Sequence, residues 1–395
     1  MRQLLHCHLL LIRANLGDAK IFSNSPIRTL YALLLSIALS CSAWAREVDN
    51  YLAWGVDIED SGPQLDQYMR QRMADALKVV NEDKSIYVVE GKPPQGRNEK
   101  VQEKYFSCTL SAVKMMRAAF FNPTYQQIES YLDNDPAIDR YPRRPGSRDP
   151  ALRSSQGELP ADGYMSNREY LNTSIIGTSP FNVPLSRVVN VHGIYTGADK
   201  FGHFTSFGPR YLMKFRNQVL DGASFDEAFQ GVLEFGYRSE RNIVGMTFTG
   251  VFSRGDLEAN YQGMEFIYSL CQSTSPVRLH FNGQYWELLN LDRFTMKTWV
   301  NPEWDESYNT SIYSEAKWRK HVTPGFERGN YCQQLASPWV QAQKHRYAQY
   351  VDTSLNQQLE DQWLPLHFPD FDPREHSLDY FCAAQPQGAP IARAP

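Results

Sequence analysis

Thr196 to Gly208 reads TGADKFGHFTSFG and sets an aspartate, a lysine and a histidine within five residues. Downstream, Glu240, Asp256 and Asn260 complete a set of side chains able to do chemistry. Asp199, His203, Glu240 and Asp256 offer carboxylate oxygens and an imidazole, donors suited to Mg, Mn or Zn. A divalent metal held by these four would support hydrolysis of a phosphoester, an envelope lipid or a glycan, so the same four are the catalytic and the metal-ligating candidates. Lys200 would steady a phosphate and Asn260 would orient a ligand, which makes these two the substrate-binding candidates. No HExxH, GxSxG, Walker or CxxC pattern accompanies them. Familiar protease, lipase, nucleotide-hydrolase and thioredoxin classes are therefore unsupported. The competing reading is non-catalytic: an internal salt-bridge network that locks helices together. A cluster that opens on a cleft would be a site, whereas a sealed cluster with its groups paired would be a lock. The second reading is favoured.

These side chains need elements to position them, and residues 191–271 predict three helices. Thr196-x-x-Asp199, Ser224-x-x-Glu227 and Ser253-x-x-Asp256 each match the capping-box pattern, so Asp199 and Asp256 could simply satisfy backbone N–H groups in first turns. Helical periodicity argues for more than that. Asp256, Asn260, Gly263, Ile267 and Leu270 share one face of the third helix, with Glu258, Gln262 and Glu265 pointing the other way. Asn260 lies too deep to be a cap and must find partners if buried. Gly263 would let another backbone approach. On the second helix, Phe225, Phe229, Val232, Leu233, Gly236 and Ile243 form an apolar stripe, and Glu240 falls on it. A carboxylate there is costly unless paired. His203 follows Asp199 by one turn, at the edge of a face formed by Phe204, Phe207, Tyr211 and Phe215. The expectation is that Asp199, His203, Glu240 and Asp256 converge with Asn260 beside them.

The motifs DKFGHF at Asp199 to Phe204, a following Glu240, and SRGDLEANYQG at Ser253 to Gly263 resemble the pattern of YfiM-like envelope lipoproteins and VanZ-like proteins. In that pattern an Asp-Lys-x-x-His-Phe motif opens one helix, a Glu lies on the next, and an Asp-x-x-Ala-Asn-x-x-Gly motif lies on a third. The matching positions are Asp199, Lys200, His203, Glu240, Ser253, Asp256, Asn260 and Gly263. The resemblance covers about residues 195–270, roughly a fifth of the 395-residue chain. It implies an envelope role and transfers no established chemistry. VanZ-like proteins span the membrane several times, and this chain lacks the segments to do so.

The rest of the sequence sets compartment and scale. An apolar run, Leu30 to Leu39, follows Arg28 and precedes Ala43-Trp44-Ala45, the small-x-small pattern of a leader cleavage site. Residues 1–45 read as a signal peptide cut after Ala45. Acylation at Cys41 is the rival, and Ala38-Leu39-Ser40 fits a lipobox poorly. No later stretch is apolar enough to span a membrane, so the expected location is periplasmic or secreted. Beyond Ala45 the chain carries 36 Lys and Arg against 43 Asp and Glu, a net charge of −7. That balance excludes a nucleic-acid partner and leaves an envelope component or a small molecule. Cys108, Cys271, Cys332 and Cys382 remain after cleavage. In an oxidising compartment they suggest disulfides, with Cys332–Cys382 the best pair and Cys108 and Cys271 equally readable as buried thiols.

The predicted fold is mainly α: an irregular multi-helix bundle with a long loop, an aromatic-rich C-terminal part and one small hairpin. Residues 46–130 form an N-terminal helical part, with an exposed helix from Ser61 to Asn81 and a more apolar one from Phe106 to Phe121. Residues 131–190 form a long irregular region, in which Asp133 to Gly163 reads as a solvated loop. Residues 191–275 are the motif-bearing core. In residues 276–395, Trp286, Trp299, Trp304, Trp318, Trp339 and Trp363 are expected to pack on that core. Asn282-Gly283 suits a two-residue hairpin turn.

Overall fold

Leucine and methionine at helical spacing build the first element. In the computed structural model, which describes residues 46–82, 105–121, 126–143, 165–177, 184–350, 365 and 376–384, helix α1 spans Gly62–Glu82 and buries Leu65, Met69, Met73, Ala76 and Val80 on one stripe. It packs along α2, Tyr105–Phe120, whose Ala112, Met115, Met116, Ala119 and Phe120 are buried. The expected exposure of α1 therefore holds for one face only. Helix α3, Gln127–Asn134, follows, then α4, Asn167–Thr173, opened by a full capping box at Ser166 and Glu169. Residues 1–45, expected to form a leader, lie outside the described residues.

Strands β1, Val188–Val191, and β2, Ile194–Gly197, form an antiparallel hairpin with Val191 opposite Ile194. Its two turn residues, His192 and Gly193, both have positive φ (53° and 88°), the left-handed geometry that matches strand twist in a two-residue turn. This hairpin lies where the sequence predicted only a helix start. It delivers the chain into α5, Ala198–Gly202, a π turn at His203–Phe207, and α6, Gly208–Leu220. Helix α7, Phe225–Ser239, starts at the predicted Ser224–Glu227 capping box and runs into a π turn at Glu240–Val244. Its buried side is Ala228, Val232, Leu233, Gly236 and Tyr237; Phe225, placed on the apolar stripe by the sequence, is 57% exposed.

Strand β3, Val251–Phe252, precedes α8, Arg254–Ser269, whose first turn is capped by Ser253 accepting from the Asp256 N–H. Helix α8 is the centre of the molecule: α6 and the His203–Phe207 turn pack against it, and Phe204, Phe266, Trp299 and Trp304 share its surroundings. It is buried on nearly every side. Glu258 and Gln262, expected to face outward, are buried, and Glu258 accepts from Gln262 and Asn301 at 2.8 Å each. As expected, Gly263 marks a close approach. A Cβ there would lie 2.1 Å from the Phe204 carbonyl oxygen, and one at Gly208 would lie 2.6 Å from the Gly263 carbonyl carbon.

The C-terminal part is helices and short strands rather than loops. Strands β4, Arg278–Phe281, and β5, Trp286–Leu289, form the expected hairpin, but Phe281 pairs with Trp286, so the turn holds four residues instead of two. Strand β6, Ile312–Tyr313, pairs antiparallel with β3 and ties the start of α8 to the segment before it. Next come α9, Glu315–Lys317, a π turn at Trp318–Val322, α10, Thr323–Arg328, α11, Tyr331–Leu335, α12, Pro338–Tyr347, and α13, Leu378–Ala384. Trp286, Trp299 and Trp304 pack on the main core as expected, Trp304 fully buried and meeting Phe201 edge-on, whereas Trp318 and Trp339 pack in smaller separate clusters. Trp363 lies outside the described residues. The mainly helical expectation holds, with a second hairpin and a two-residue strand pair added.

Two further expectations need correction. Asp139, Arg140 and Arg143 are not solvated loop residues. Arg143 pairs with Asp139 through two 3.2 Å bonds, and Arg140 donates to the Leu132 carbonyl at 3.0 Å, all three buried; residues 144–164 are outside the described residues. Cys108 and Cys271 are not free thiols either. They are bonded to each other, with Cα atoms 5.8 Å apart, while Cys332–Cys382 forms the second disulfide at 5.4 Å. The first joins α2 to the end of α8 inside the main core. The second joins α11 to α13 around a separate apolar cluster of Tyr51, Tyr170, Ile175, Phe326 and Phe381.

Loop closure makes the two bridges unequal. A 163-residue separation against a 50-residue one corresponds to about 5 and about 4 kcal/mol in the chain-entropy model. Replacing Cys108 and Cys271 by serine should lower the urea midpoint more than replacing Cys332 and Cys382. The reverse order would place the main core elsewhere.

Candidate functional site

The cluster is built from α5, the π turns that begin at His203 and Glu240, the start of α8, and two segments far away in sequence. Thr196 does not cap a helix: it sits in β2, and its hydroxyl donates to the Trp304 carbonyl at 3.1 Å. Asp199 is therefore free to turn inward. Its Oδ2 accepts from Lys200 Nζ at 2.7 Å. The same ammonium lies 2.7 Å from Asp256 Oδ1 and 2.6 Å from Glu306 Oε1. Three carboxylates from three segments thus share one cation that is 0% exposed.

His203 begins the π turn, which redirects its ring toward α8; such turns recur at specialised positions in helices. Its Nδ1–H donates to Asn260 Oδ1 at 3.0 Å, because the amide nitrogen of Asn260 donates to the Tyr211 hydroxyl at 3.2 Å. The ring stacks on Phe207 with centroids 4.9 Å apart. Its Nε2 lies 3.2 Å from Asp256 Oδ2. With Nδ1 the donor, the neutral ring leaves Nε2 unprotonated, and this nitrogen is buried without a hydrogen-bond partner. Glu240 begins the next π turn and accepts from the Ser253 N–H at 3.2 Å. Ser253 in turn donates its hydroxyl to Glu306 Oε1 at 2.5 Å while capping α8. Asp199, His203, Glu240, Asp256 and Asn260 do come together, linked through Lys200 and Ser253.

Two members escaped the sequence reading. Glu306 follows the short turn Pro302–Trp304, and Glu47 comes from the start of the described chain. The Thr249 hydroxyl contacts Glu47 Oε1 at 2.6 Å and the Gly245 carbonyl at 2.9 Å. One hydroxyl proton serves only one of these, so Glu47 is protonated when Thr249 donates to Gly245. Nothing local marks either glutamate. Each stands beside other charged residues, Arg46 and Asp49 for Glu47 and Asp305 for Glu306, so the sequence reads as an ordinary polar stretch.

Every member of the cluster is at most 3% exposed. Burial dominates the electrostatics. It raises Glu47 and Glu240 well above the ordinary carboxylate range, helped by mutual repulsion with Asp256 and Glu306. Burial also raises Asp199 and Asp256 to about 6, with Lys200 opposing the shift. His203 is pushed down to about 4 by burial and by the Lys200 charge. Lys200 resists its own desolvation because its carboxylates hold it charged, and its pKa rises. Asp199 Oδ1, Glu47 Oε2 and Glu306 Oε2 have no hydrogen-bond partner.

This arrangement corrects the expected role of Lys200. A buried ammonium already engaged by three carboxylates has no face left for a phosphate. Among the described residues, no three or more His, Cys, Asp or Glu side chains are arranged to hold a metal ion; the expected donors Asp199 and Asp256 instead meet Lys200. The open cleft near Glu315, Trp318, Arg319 and His376 is lined by none of the cluster residues.

The shifts predict a two-sided pH dependence. Raised carboxyls favour the fold at low pH, and the contribution of Asp199 and Asp256 is lost as pH rises from about 4 to about 6. His203 works oppositely: its neutral form favours the fold above pH 6.5, and the contribution is lost as pH falls toward 4. Each two-unit shift is worth roughly 3 kcal/mol. Urea titrations between pH 4 and 7 should show His203→Gln losing the acid-side decline and Asp199→Asn losing the opposite one. Parallel curves for all three proteins would refute the linkage. No protein-family model, no curated protein and no solved structure matches this chain.

Proposed function

We propose that this chain is an exported cell-envelope protein, and that its polar cluster is a non-catalytic lock joining α5, α8 and the Glu306 segment. The observation that carries this reading is Lys200: a fully buried ammonium with three carboxylate oxygens at 2.6–2.7 Å. A group so enclosed meets no substrate. Export is supported by the leader pattern of residues 1–45, by two disulfides suited to an oxidising compartment, and by the net charge of −7 beyond Ala45. No helix among the described residues is long and apolar enough to cross a membrane. The motif pattern shared with YfiM-like and VanZ-like proteins supports an envelope role in the same direction.

A second reading is a metal-dependent hydrolase acting on a phosphoester or an envelope lipid or glycan. It draws on the unpartnered oxygens of Asp199, Glu47 and Glu306, which a divalent cation would satisfy if Lys200 withdrew. The two readings separate in one set of measurements. For a lock, Lys200→Met strands its carboxylates and lowers stability by about 3–5 kcal/mol. Mg, Mn or Zn then leaves the wild-type melting temperature unchanged, and the purified protein carries no stoichiometric metal. Bound metal that disappears in His203→Ala, or a metal-induced rise in melting temperature absent from that variant, would establish the hydrolase reading instead.

A further inference from the structure

The cleft beside the Trp318–Val322 π turn shares no lining residue with the Lys200 cluster. Its volume is about 390 Å³, within the roughly 300–1,000 Å³ range of small-molecule sites. Glu315 of α9, Trp318 and Arg319 of the π turn and Thr323 at the start of α10 line one part. His376 and Tyr380, before and within α13, line the other.

The walls of this cleft are already in place. Trp318 stacks on His376 with centroids 4.7 Å apart and meets Phe326 edge-on at 5.9 Å. His376 Nδ1–H donates to the Tyr313 carbonyl at 3.1 Å. Phe381, next to Tyr380, packs on Phe326, and the Cys332–Cys382 disulfide closes one residue later. A site with such fixed walls gives up less conformational freedom when it binds.

The polar groups at its mouth are available to a ligand. Glu315 pairs with Arg319 one turn along, yet their side chains are 57% and 79% exposed. Only the guanidinium Nε takes part in that pair, so the other N–H groups still face solvent. Glu315 Oε2 lies 3.4 Å from His376 Nε2 and keeps lone pairs to spare. The Thr323 and Tyr380 hydroxyls make no hydrogen bond among the described residues. Tyr380 is 50% exposed, and its ring offers a rigid apolar face.

Charge balance selects the ligand. An anion would meet Glu315 as a like charge, and a cation would meet Arg319 in the same way. A neutral polyhydroxyl ring satisfies both: one hydroxyl donates to the carboxylate while its neighbour accepts from the guanidinium. The C–H face of the ring then lies against the aromatic side chain. We infer that this cleft binds a neutral saccharide, with Glu315 and Arg319 bonding hydroxyls of one pyranose ring and Tyr380 stacked on it. The cleft and the Lys200 cluster have no residue in common, so either role can fail without the other.

Isothermal titration calorimetry tests this with maltotetraose, cellotetraose and the N-acetylglucosamine tetramer. Glucuronate and inorganic phosphate serve as anionic comparators. At least one neutral saccharide should bind saturably and more tightly than either anion. Its affinity should fall about tenfold or more in Arg319→Ala and in Tyr380→Ala. Both side chains lie at the surface, so melting temperatures should stay unchanged. Tyr380→Phe, which keeps the ring, should retain most of the affinity that Tyr380→Ala loses. Arg319→Lys, which keeps the charge without the planar fork, should still weaken binding. Failure of every neutral saccharide to bind would overturn the inference, as would binding untouched by both alanine substitutions. Tighter binding of glucuronate or phosphate would overturn it too and make the cleft an anion site.

Discussion

The burial of one ammonium group organises this molecule. Lys200 is enclosed completely, and an uncompensated charge at that depth would cost several kcal/mol. The fold keeps it by bringing Asp199, Asp256 and Glu306 to within 2.7 Å. Those oxygens come from the start of α5, the start of α8 and the turn after Trp304, so none of the three segments can shift without stranding a charge. The hairpin β1–β2 delivers α5 to its place, and the β3–β6 pair fixes the start of α8 beside the C-terminal segment. Removing any one partner strands the others, which makes the cluster a stringent condition on the whole arrangement.

Geometry elsewhere is adapted to let these charges meet. A regular α-helix from Ala198 to Leu220 would rotate His203 and the residues after it relative to α8. The π turn at His203–Phe207 absorbs that mismatch and leaves the imidazole between Asn260 and Asp256. The π turn at Glu240–Val244 does the same for Glu240. Gly202 lets α3 come close, since a Cβ there would lie 1.9 Å from Glu129 Oε1. The cluster thereby adjoins the Arg46–Glu129–Asp133 group, and the two share an excess of acid over base.

The two disulfides divide the labour. Cys108–Cys271 staples the main core that surrounds α8, and Cys332–Cys382 holds α13 on a smaller aromatic cluster. Tyr51 links that second cluster to the buried N-terminal segment: its ring meets Phe326 and Tyr331, with centroids within 5.6 Å. Residues 46–51 are thereby tied to the smaller core.

Local pattern determined what depends on neighbours in sequence. The apolar spacing of α1 and α2, the Ser224 and Ser253 caps and the convergence of Asp199, His203, Glu240, Asp256 and Asn260 were all legible, because helical periodicity assigns each residue to a face. Gly263 was legible as a close approach for the same reason. Periodicity also misled where tertiary contacts override it. Thr196 to Asp199 has the letters of a capping box, yet Thr196 is held in a strand by the Trp304 carbonyl. Glu258 and Gln262 occupy the polar side of α8, yet Asn301 gives Glu258 a partner and both are buried. Only the tertiary structure decided that Lys200 is the centre of the cluster, and that Glu306 and Glu47 complete it. Those residues lie about 100 and 150 positions from Lys200, and charge compensation acts through space, where no spacing along the chain records it.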